Sequence, residues 1–345
     1  GGAGGLITGN VQIDRHHLER VGNVVIDAKT GEDEMDGFSR WAEAAKSKGA
    51  ALVMQVSHAG RQTPKLVNPR PAAPSPVALG LPGGQFGEPR AMTADEIGAV
   101  VEGFGRAAKV AKRTGFDGIQ VHAAHGYLLS SFLSPLANRR EDDWGGPLEN
   151  RARLLVDCVR EAKVQGGAGF SVSVKLNSAD FQKGGFSHAD CLMVIDILNG
   201  LGVDFVEISG GNYEQPKMMD MEGLEPSFEE TKRTSTRDRE AYFLSYAKSV
   251  QDRASMPLMV TGGFRTLSGM NAALASGEAD LIGIGRPLCV DTATPAKLLA
   301  GEIETADRWE AQLRIGPGLF GPNSPIKLVK ALNGFGAQGW YYEQL

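Results

Sequence analysis

Short apolar runs alternate along this chain with longer stretches of helical period. The runs predict strands at Leu6–Asn10, Ala51–Ser57, Gly118–His122, Phe170–Asn177, Phe205–Ser209, Leu258–Thr261 and Leu281–Gly285. Between them, apolar residues recurring on one face predict helices over Asp36–Lys48, Ala94–Thr114, Leu148–Gln165, His188–Leu201, Asp238–Asp252 and Leu267–Ser276. The helix from Ala94 shows the reasoning. Thr93 and Glu96 have capping-box spacing, Ile97, Val100, Val101, Phe104, Ala108 and Ala111 share one face, and Gly115 ends the pattern.

Repeated strand–helix units imply parallel strands joined by right-handed crossovers. A doubly wound dinucleotide-binding sheet would carry Gly-x-Gly-x-x-Gly after its first strand, and Gly9-Asn10-Val11-Gln12 does not fit. Instead, glycine and polar residues gather at the strands' C-terminal ends: Thr8-Gly9-Asn10, Gln55, His122, Lys175, Ser209-Gly210-Gly211, Thr261-Gly262-Gly263 and Gly285-Arg286. Polar groups collected from many strand ends describe the active face of a TIM (β/α)8 barrel. The pattern supplies seven strands rather than eight. The expected fold is therefore an α/β barrel of this type with its first β/α unit missing from the chain. No linker or composition break divides it, so residues 1–345 read as a single domain, incomplete at its N-terminus.

Composition narrows the function classes. Of the 345 residues 42% are hydrophobic, enough for a sizeable core, and 36 basic and 41 acidic residues are well mixed, for a net charge of −5. That is not the basic stripe of a nucleic-acid binder, and no apolar run approaches the roughly 18 residues that span a bilayer. Cys158, Cys191 and Cys289 lie far apart and form no zinc or disulfide spacing. They suit buried positions in a reducing cytoplasm. The expected partner is a small molecule, without metal, nucleic acid or membrane; a homo-oligomer is left open.

Three constellations carry candidate chemistry. Met259-Val260-Thr261-Gly262-Gly263 and Ile282-Gly283-Ile284-Gly285-Arg286 run from apolar strands into glycine turns. Bare backbone N–H groups there can approach an anion, and Arg286 adds a charge. Singly each could be a tight turn; in this order, at the positions where barrels bind phosphate, the two favour a phosphate-bearing cofactor. Next, Gly118-Ile119-Gln120-Val121-His122-Ala123-Ala124-His125-Gly126-Tyr127 turns Gln120 and His122 inward and leaves His125 and Tyr127 at the barrel mouth. Two imidazoles can hold a carbonyl oxygen while a phenol delivers a proton. The histidines are three apart with alanines between, which does not suit a zincin helix. Last, strand alternation points Gln55, Lys175 and Glu207 inward. Lys175 needs an anionic partner, either a bound group or Glu207, and the Gln55 amide suits a heterocycle's edge. The stretch Gly210–Thr236, with Tyr213, Met218, Met219, Met221 and Phe228, is too long for an ordinary connection and fits a substrate lid or an oligomer contact.

Gln55-Val56-Ser57-His58-Ala59-Gly60-Arg61, His122 to Tyr127 running on to Phe132-Leu133-Ser134-Pro135-Leu136-Ala137-Asn138-Arg139-Arg140, Gly145-Gly146-Pro147-Leu148-Glu149-Asn150-Arg151, Thr261-Gly262-Gly263 and Gly285-Arg286-Pro287 stand in order along nearly the whole chain, down to Gly339-Trp340-Tyr341. Together they resemble the Old Yellow Enzyme family of FMN-dependent ene reductases. The resemblance implies a TIM barrel holding FMN at its mouth and a ping-pong cycle in which NADH or NADPH reduces the flavin and an α,β-unsaturated carbonyl compound reoxidises it. By that resemblance His122 and His125 hold the carbonyl oxygen, flavin N5 gives hydride to the β-carbon, and Tyr127 protonates the α-carbon. Gln55 faces the flavin's pyrimidine edge, Gly9 lies near the ring, and Gly262, Gly263, Gly285 and Arg286 hold the phosphate. Lys175 stands where the family usually has an arginine, a point charge in place of a planar fork. The absent first strand leaves a second reading open, a truncated barrel that binds flavin weakly or not at all. A third is a flavin-free phosphate-binding isomerase or aldolase using Lys175 as an amine.

Overall fold

The computed structural model describes residues 1–217, 223, 225, 227–228, 243–309, 312–322 and 324–344. In chain order its strands are β1 (Gly5–Ile7), β2 (Val11–Gln12), β3 (Val24–Val25), β4 (Ala51–Ser57), β5 (Ala72–Ala73), β6 (Arg90–Ala91), β7 (Gly118–Ala123), β8 (Ser171–Asn177), β9 (Val206–Ser209), β10 (Leu258–Thr261) and β11 (Leu281–Gly283). The helices are α1 (Glu32–Lys46), α2 (Ala94–Arg113), α3 (Leu128–Leu133), α4 (Leu148–Gly166), α5 (His188–Asn199), α6 (Leu244–Gln251), α7 (Leu267–Ala275), α8 (Arg286–Val290), α9 (Thr294–Leu299) and α10 (Lys327–Glu343). Each of the seven strands expected from the sequence is present: β4 and β10 have the expected bounds, β7 runs one residue further, β1 begins one residue earlier and ends at Ile7, and β8, β9 and β11 are one or two residues shorter at one end. The helix expected over Asp238–Asp252 is present from Leu244; residues 238–242 lie outside the described residues.

One parallel sheet runs β11-β10-β9-β8-β7-β4, with β1 paired to the first half of β4 and β2 to its end. The inner and outer faces follow from alternation. Met54, Val56, Ile119, Val121, Val172, Val174, Val206 and Ile208 are buried among the surrounding helices, while Gln55, Gln120, Lys175 and Glu207 meet one another on the inside. Helices α2 and α4 are packed side by side over β7. The α2 cap is as expected: Thr93 Oγ1 accepts from the Glu96 N–H at 3.2 Å, and Glu96 Oε2 accepts from the Thr93 N–H at 2.9 Å. Such a cap is worth about 1 kcal/mol.

The ladder does not close. No backbone hydrogen bonds join β1 to β11 among the described residues. The two edges are nevertheless brought near each other, because the Gly1 carbonyl accepts from the Ala296 N–H on α9 at 2.9 Å. Between them opens a cavity of about 560 Å³ that reaches the barrel interior. Among the described residues no helix is long and apolar enough to cross a membrane. Cys158 and Cys191 are buried free thiols, and Cys289 is half-buried.

Candidate active site

Strand β7 delivers His122 to the top of the barrel, in register with Lys175 on β8, which is in turn in register with Glu207 on β9. The His122 ring is 2% exposed. Its Nδ1 accepts from the Ala124 N–H at 3.2 Å, which leaves the proton on Nε2. The chain then turns sharply. His125 has a positive φ of 63°, rare for a residue with a side chain. The turn is held by Asn177 Oδ1, which accepts from the His125 N–H at 3.1 Å, and by Gln62 Nε2, which donates to the His125 carbonyl at 3.0 Å. Gly126 follows at φ 79°, where a Cβ would stand 2.6 Å from Gln62 Oε1. Only glycine fits there.

This turn gathers three side chains. The His122 ring centroid lies 5.0 Å from that of His125 and 4.9 Å from that of Tyr127, with the rings close to perpendicular in both pairs. His125 Nε2 meets Ser209 Oγ at 2.7 Å. Burial, then the charge of Lys175, pushes the His125 imidazole well below its ordinary pKa; burial, His125 and Lys175 do the same to His122. Both rings are therefore neutral donors near pH 7. Tyr127 is 6% exposed, and burial followed by the charge of Glu19 pushes its phenol well above its ordinary value. Its hydroxyl is hydrogen-bonded to Glu19 and, at 3.0 Å, to the hydroxyl of Tyr213.

The inward polar residues form one network. Gln55 Nε2 donates to Gln120 Oε1 at 2.6 Å, Gln120 Nε2 donates to Glu207 Oε2 at 2.8 Å, and Lys175 Nζ lies 2.7 Å from Glu207 Oε1. Lys175 thus has a protein partner, and it still faces the cavity. Gln55, Lys175, Glu207, Thr261, Gly283 and Gly285 line that cavity within a mostly apolar wall. Gly262 and Gly263, both at positive φ, turn the chain immediately after Thr261, and Gly285 leads into α8, where Arg286 begins. Gly9 makes the turn after β1 and is not in the cavity wall.

Two sets of residues went unassigned in the sequence. Glu19 lies in a polar connection with no motif to mark it, and Tyr213 was visible only as one aromatic in a long loop. Met218, Met219 and Met221 of that loop lie outside the described residues; Phe228 donates its N–H to the Phe181 carbonyl at 2.9 Å.

A separate cluster, Asp14, His17 and His58, has metal-ligand chemistry, with ligand atoms within 4.8 Å of one another. The hydrogen bonds argue against an ion. The Ala72 N–H donates to His17 Nε2 at 2.8 Å and the Gly60 N–H to His58 Nδ1 at 3.1 Å. The remaining ring nitrogens therefore carry protons, and both point at Asp14 Oδ2, from 2.7 and 4.0 Å. His17 is hydrogen-bonded to Asp14 and the His58 ring stacks on the His17 ring at 4.4 Å, so the cluster braces the segment after β2 against the turns after β4.

The sequence pattern of the NADH:flavin oxidoreductase / NADH oxidase family matches residues 27–304. The chain belongs to that family. It is 37% identical over 311 residues to the NADH-dependent flavin oxidoreductase iliE of Neonectria sp. (strain DH2), covering 86% of this chain and 40% of that protein. It is also 37% identical over 311 residues to the NADH-dependent flavin oxidoreductase nadA of Aspergillus parasiticus, covering 89% of this chain and 68% of the relative. The chain thus spans less than half of one of these relatives and about two thirds of the other. Its fold is that of an old yellow enzyme homologue from Zymomonas mobilis, with a TM-score of 0.71 at 24% identity, over 90% of this chain and 83% of that one.

The family's cofactor is FMN, with NADH or NADPH as reductant, and the residues present fit it. Thr261 Oγ1 is buried without a hydrogen-bond partner beside the glycine turns, Gly262 and Gly263 turn the chain at positive φ without side chains, and the cavity, about 560 Å³ with a mostly apolar wall and a few polar groups, suits a cofactor.

Proposed function

We propose that this chain works as one flavin-binding barrel domain, an FMN-dependent oxidoreductase that reduces the C=C bond of small α,β-unsaturated carbonyl compounds in the cytoplasm. The reading rests chiefly on one observation: two neutral imidazoles and a phenol converge at the barrel mouth, each within about 5 Å of the His122 ring. FMN would be held by Gln55, Lys175 and the turns at Gly262, Gly263, Gly285 and Arg286, with Gly9 beyond the cavity wall, and once bound would supply a hydride drawn from NADH or NADPH. The protein's own residues handle charge and proton. His122 directs its Nε2–H, and His125 its free ring nitrogen, at the carbonyl oxygen, where negative charge grows as the β-carbon is reduced. Neutral imidazoles suit this task because they donate without adding a buried positive charge. Tyr127 gives its phenolic proton to the α-carbon.

The test is anaerobic half-reaction kinetics with FMN-loaded protein, NADH and 2-cyclohexenone. Tyr127→Phe should slow reoxidation by the enone about 10²-fold or more and leave reduction by NADH within about twofold. Equal loss in both half-reactions removes the proton-donor role, and protein that takes up no FMN removes the whole reading. A flavin-binding scaffold without turnover is the second reading, favoured by the open seam between β1 and β11; it predicts FMN uptake with no enone-dependent reoxidation. The aldolase reading loses ground, since Lys175 Nζ is held in an ion pair with Glu207.

A further inference from the structure

The Tyr127 phenol does not end the polar chain at the site. Beyond it stands Glu19, in the connection between β2 and β3, whose Oε2 accepts the phenolic hydrogen. Two amides fix the carboxylate: Asn10 Nδ2 donates to Oε2 at 2.6 Å and Asn23 Nδ2 to Oε1 at 3.2 Å. The Asp14–His17–His58 brace anchors the start of the same connection. Glu19 is half-buried, whereas Tyr127 is buried, so the residue meets the phenol on one side and solvent on the other.

That placement answers a need created by the chemistry. A phenolate left after proton donation is a costly state here, because burial and the charge of Glu19 both oppose it. It must be refilled in every turnover. His122 and His125 are poor sources, being held neutral by burial and by Lys175. Tyr213, half-buried like Glu19, hands on a proton only by becoming a phenolate itself, which its surroundings and the charge of Glu19 oppose.

We propose that Glu19 is the positioning residue that returns a solvent proton to Tyr127 after each turnover; this rests on the reading of Tyr127 as the proton donor. The Tyr127 O–H bond breaks as a C–H bond forms at the substrate's α-carbon. The Glu19 carboxylate takes a proton from solvent on its exposed side and passes it to the phenolate, which restores both the phenol and the carboxylate. One solvent proton is consumed per alkene, and the hydride that completes the reduction originates in NAD(P)H.

The ionisable groups facing this carboxylate are Tyr127, Tyr213, Tyr342 on α10 and Arg20, whose guanidinium lies 4.3 Å over the Tyr342 ring. Cys289 faces Tyr342, and His122 faces Tyr127.

The experiment uses FMN-loaded full chain, NADH and 2-cyclohexenone, comparing the native protein, Glu19→Gln, Glu19→Ala and Tyr127→Phe. Steady-state turnover of Glu19→Gln should fall about tenfold or more, with the first turnover affected less than later ones. Added formate should restore part of the Glu19→Ala rate, and FMN affinity, read by fluorescence quenching, should stay within about twofold. The assignment falls if Tyr127→Phe slows reoxidation while both Glu19 variants keep the native rate and pH profile. It also falls if FMN affinity and the first turnover drop together with turnover, which marks a structural role. If Tyr127→Phe is itself silent, the premise fails and the proposal with it.

Discussion

Removing one partner of the Lys175–Glu207 pair tests how the barrel interior is held. The ion pair spans 2.7 Å, with side chains 13% and 3% exposed, and the other Glu207 oxygen accepts from Gln120. Glu207→Ala therefore leaves both an ammonium and an amide without a partner. A buried charge so orphaned costs about 3–5 kcal/mol, and an unsatisfied donor about 1–3 kcal/mol. The cavity beside Lys175 admits water, which lowers the first figure, and the two overlap, so about 3–4 kcal/mol is expected. Lys175→Met leaves the carboxylate with Gln120 alone and should cost about 3 kcal/mol. The double variant Lys175→Met/Glu207→Leu removes both charges, and only Gln120 is left wanting, so about 1–2 kcal/mol is expected. Urea unfolding of flavin-free protein, followed by circular dichroism, measures all three. Single variants costing below about 1 kcal/mol, or a double variant costing the sum of the singles, would refute a coupled pair.

Two further outcomes follow from the site's geometry. Gly126→Ala puts a Cβ 2.6 Å from Gln62 Oε1 at φ 79°, combining about 1–2 kcal/mol of backbone strain with about 1 kcal/mol for each displaced Gln62 hydrogen bond; thermal unfolding should show a loss of about 2–4 kcal/mol, and no loss would mean the turn relaxes freely. Burial lowers the pKa of His58, His122 and His125, so below about pH 6.5 the unfolded chain binds protons that the native one refuses. Stability should therefore fall as pH drops from about 7 to 5. Glu96, held down to about 2 mainly by Arg90, extends the loss below about pH 4.5 as its own stabilisation disappears. Urea midpoints that stay flat between pH 7 and 5 would contradict the histidine contribution.

The barrel staves were legible because each is an apolar run ending in glycine or a polar residue, and each βα unit repeats that signal. The His122–Tyr127 turn was legible for the same reason, being contiguous. α3 was not, since its six residues are all buried and too short to show a period. α10 is obscured by Gly334, Gly336 and Gly339, which dilute its helical pattern. Glu19 could not be read at all: it meets Tyr127 across 108 residues, and nothing local distinguishes it from any solvated glutamate. The partner of Lys175 stood between a ligand and Glu207 on spacing alone, and the 2.7 Å contact supplies Glu207.

The left-handed backbone at His125 has an evolutionary consequence. A residue there is selected twice, once for what its side chain offers a carbonyl oxygen and once for tolerating φ 63°. Besides histidine, the second filter admits chiefly glycine, aspartate and asparagine, and of these only asparagine also carries an N–H donor. The peptide geometry thus channels divergence at this position into a two-letter alphabet, before any substrate exerts its own preference.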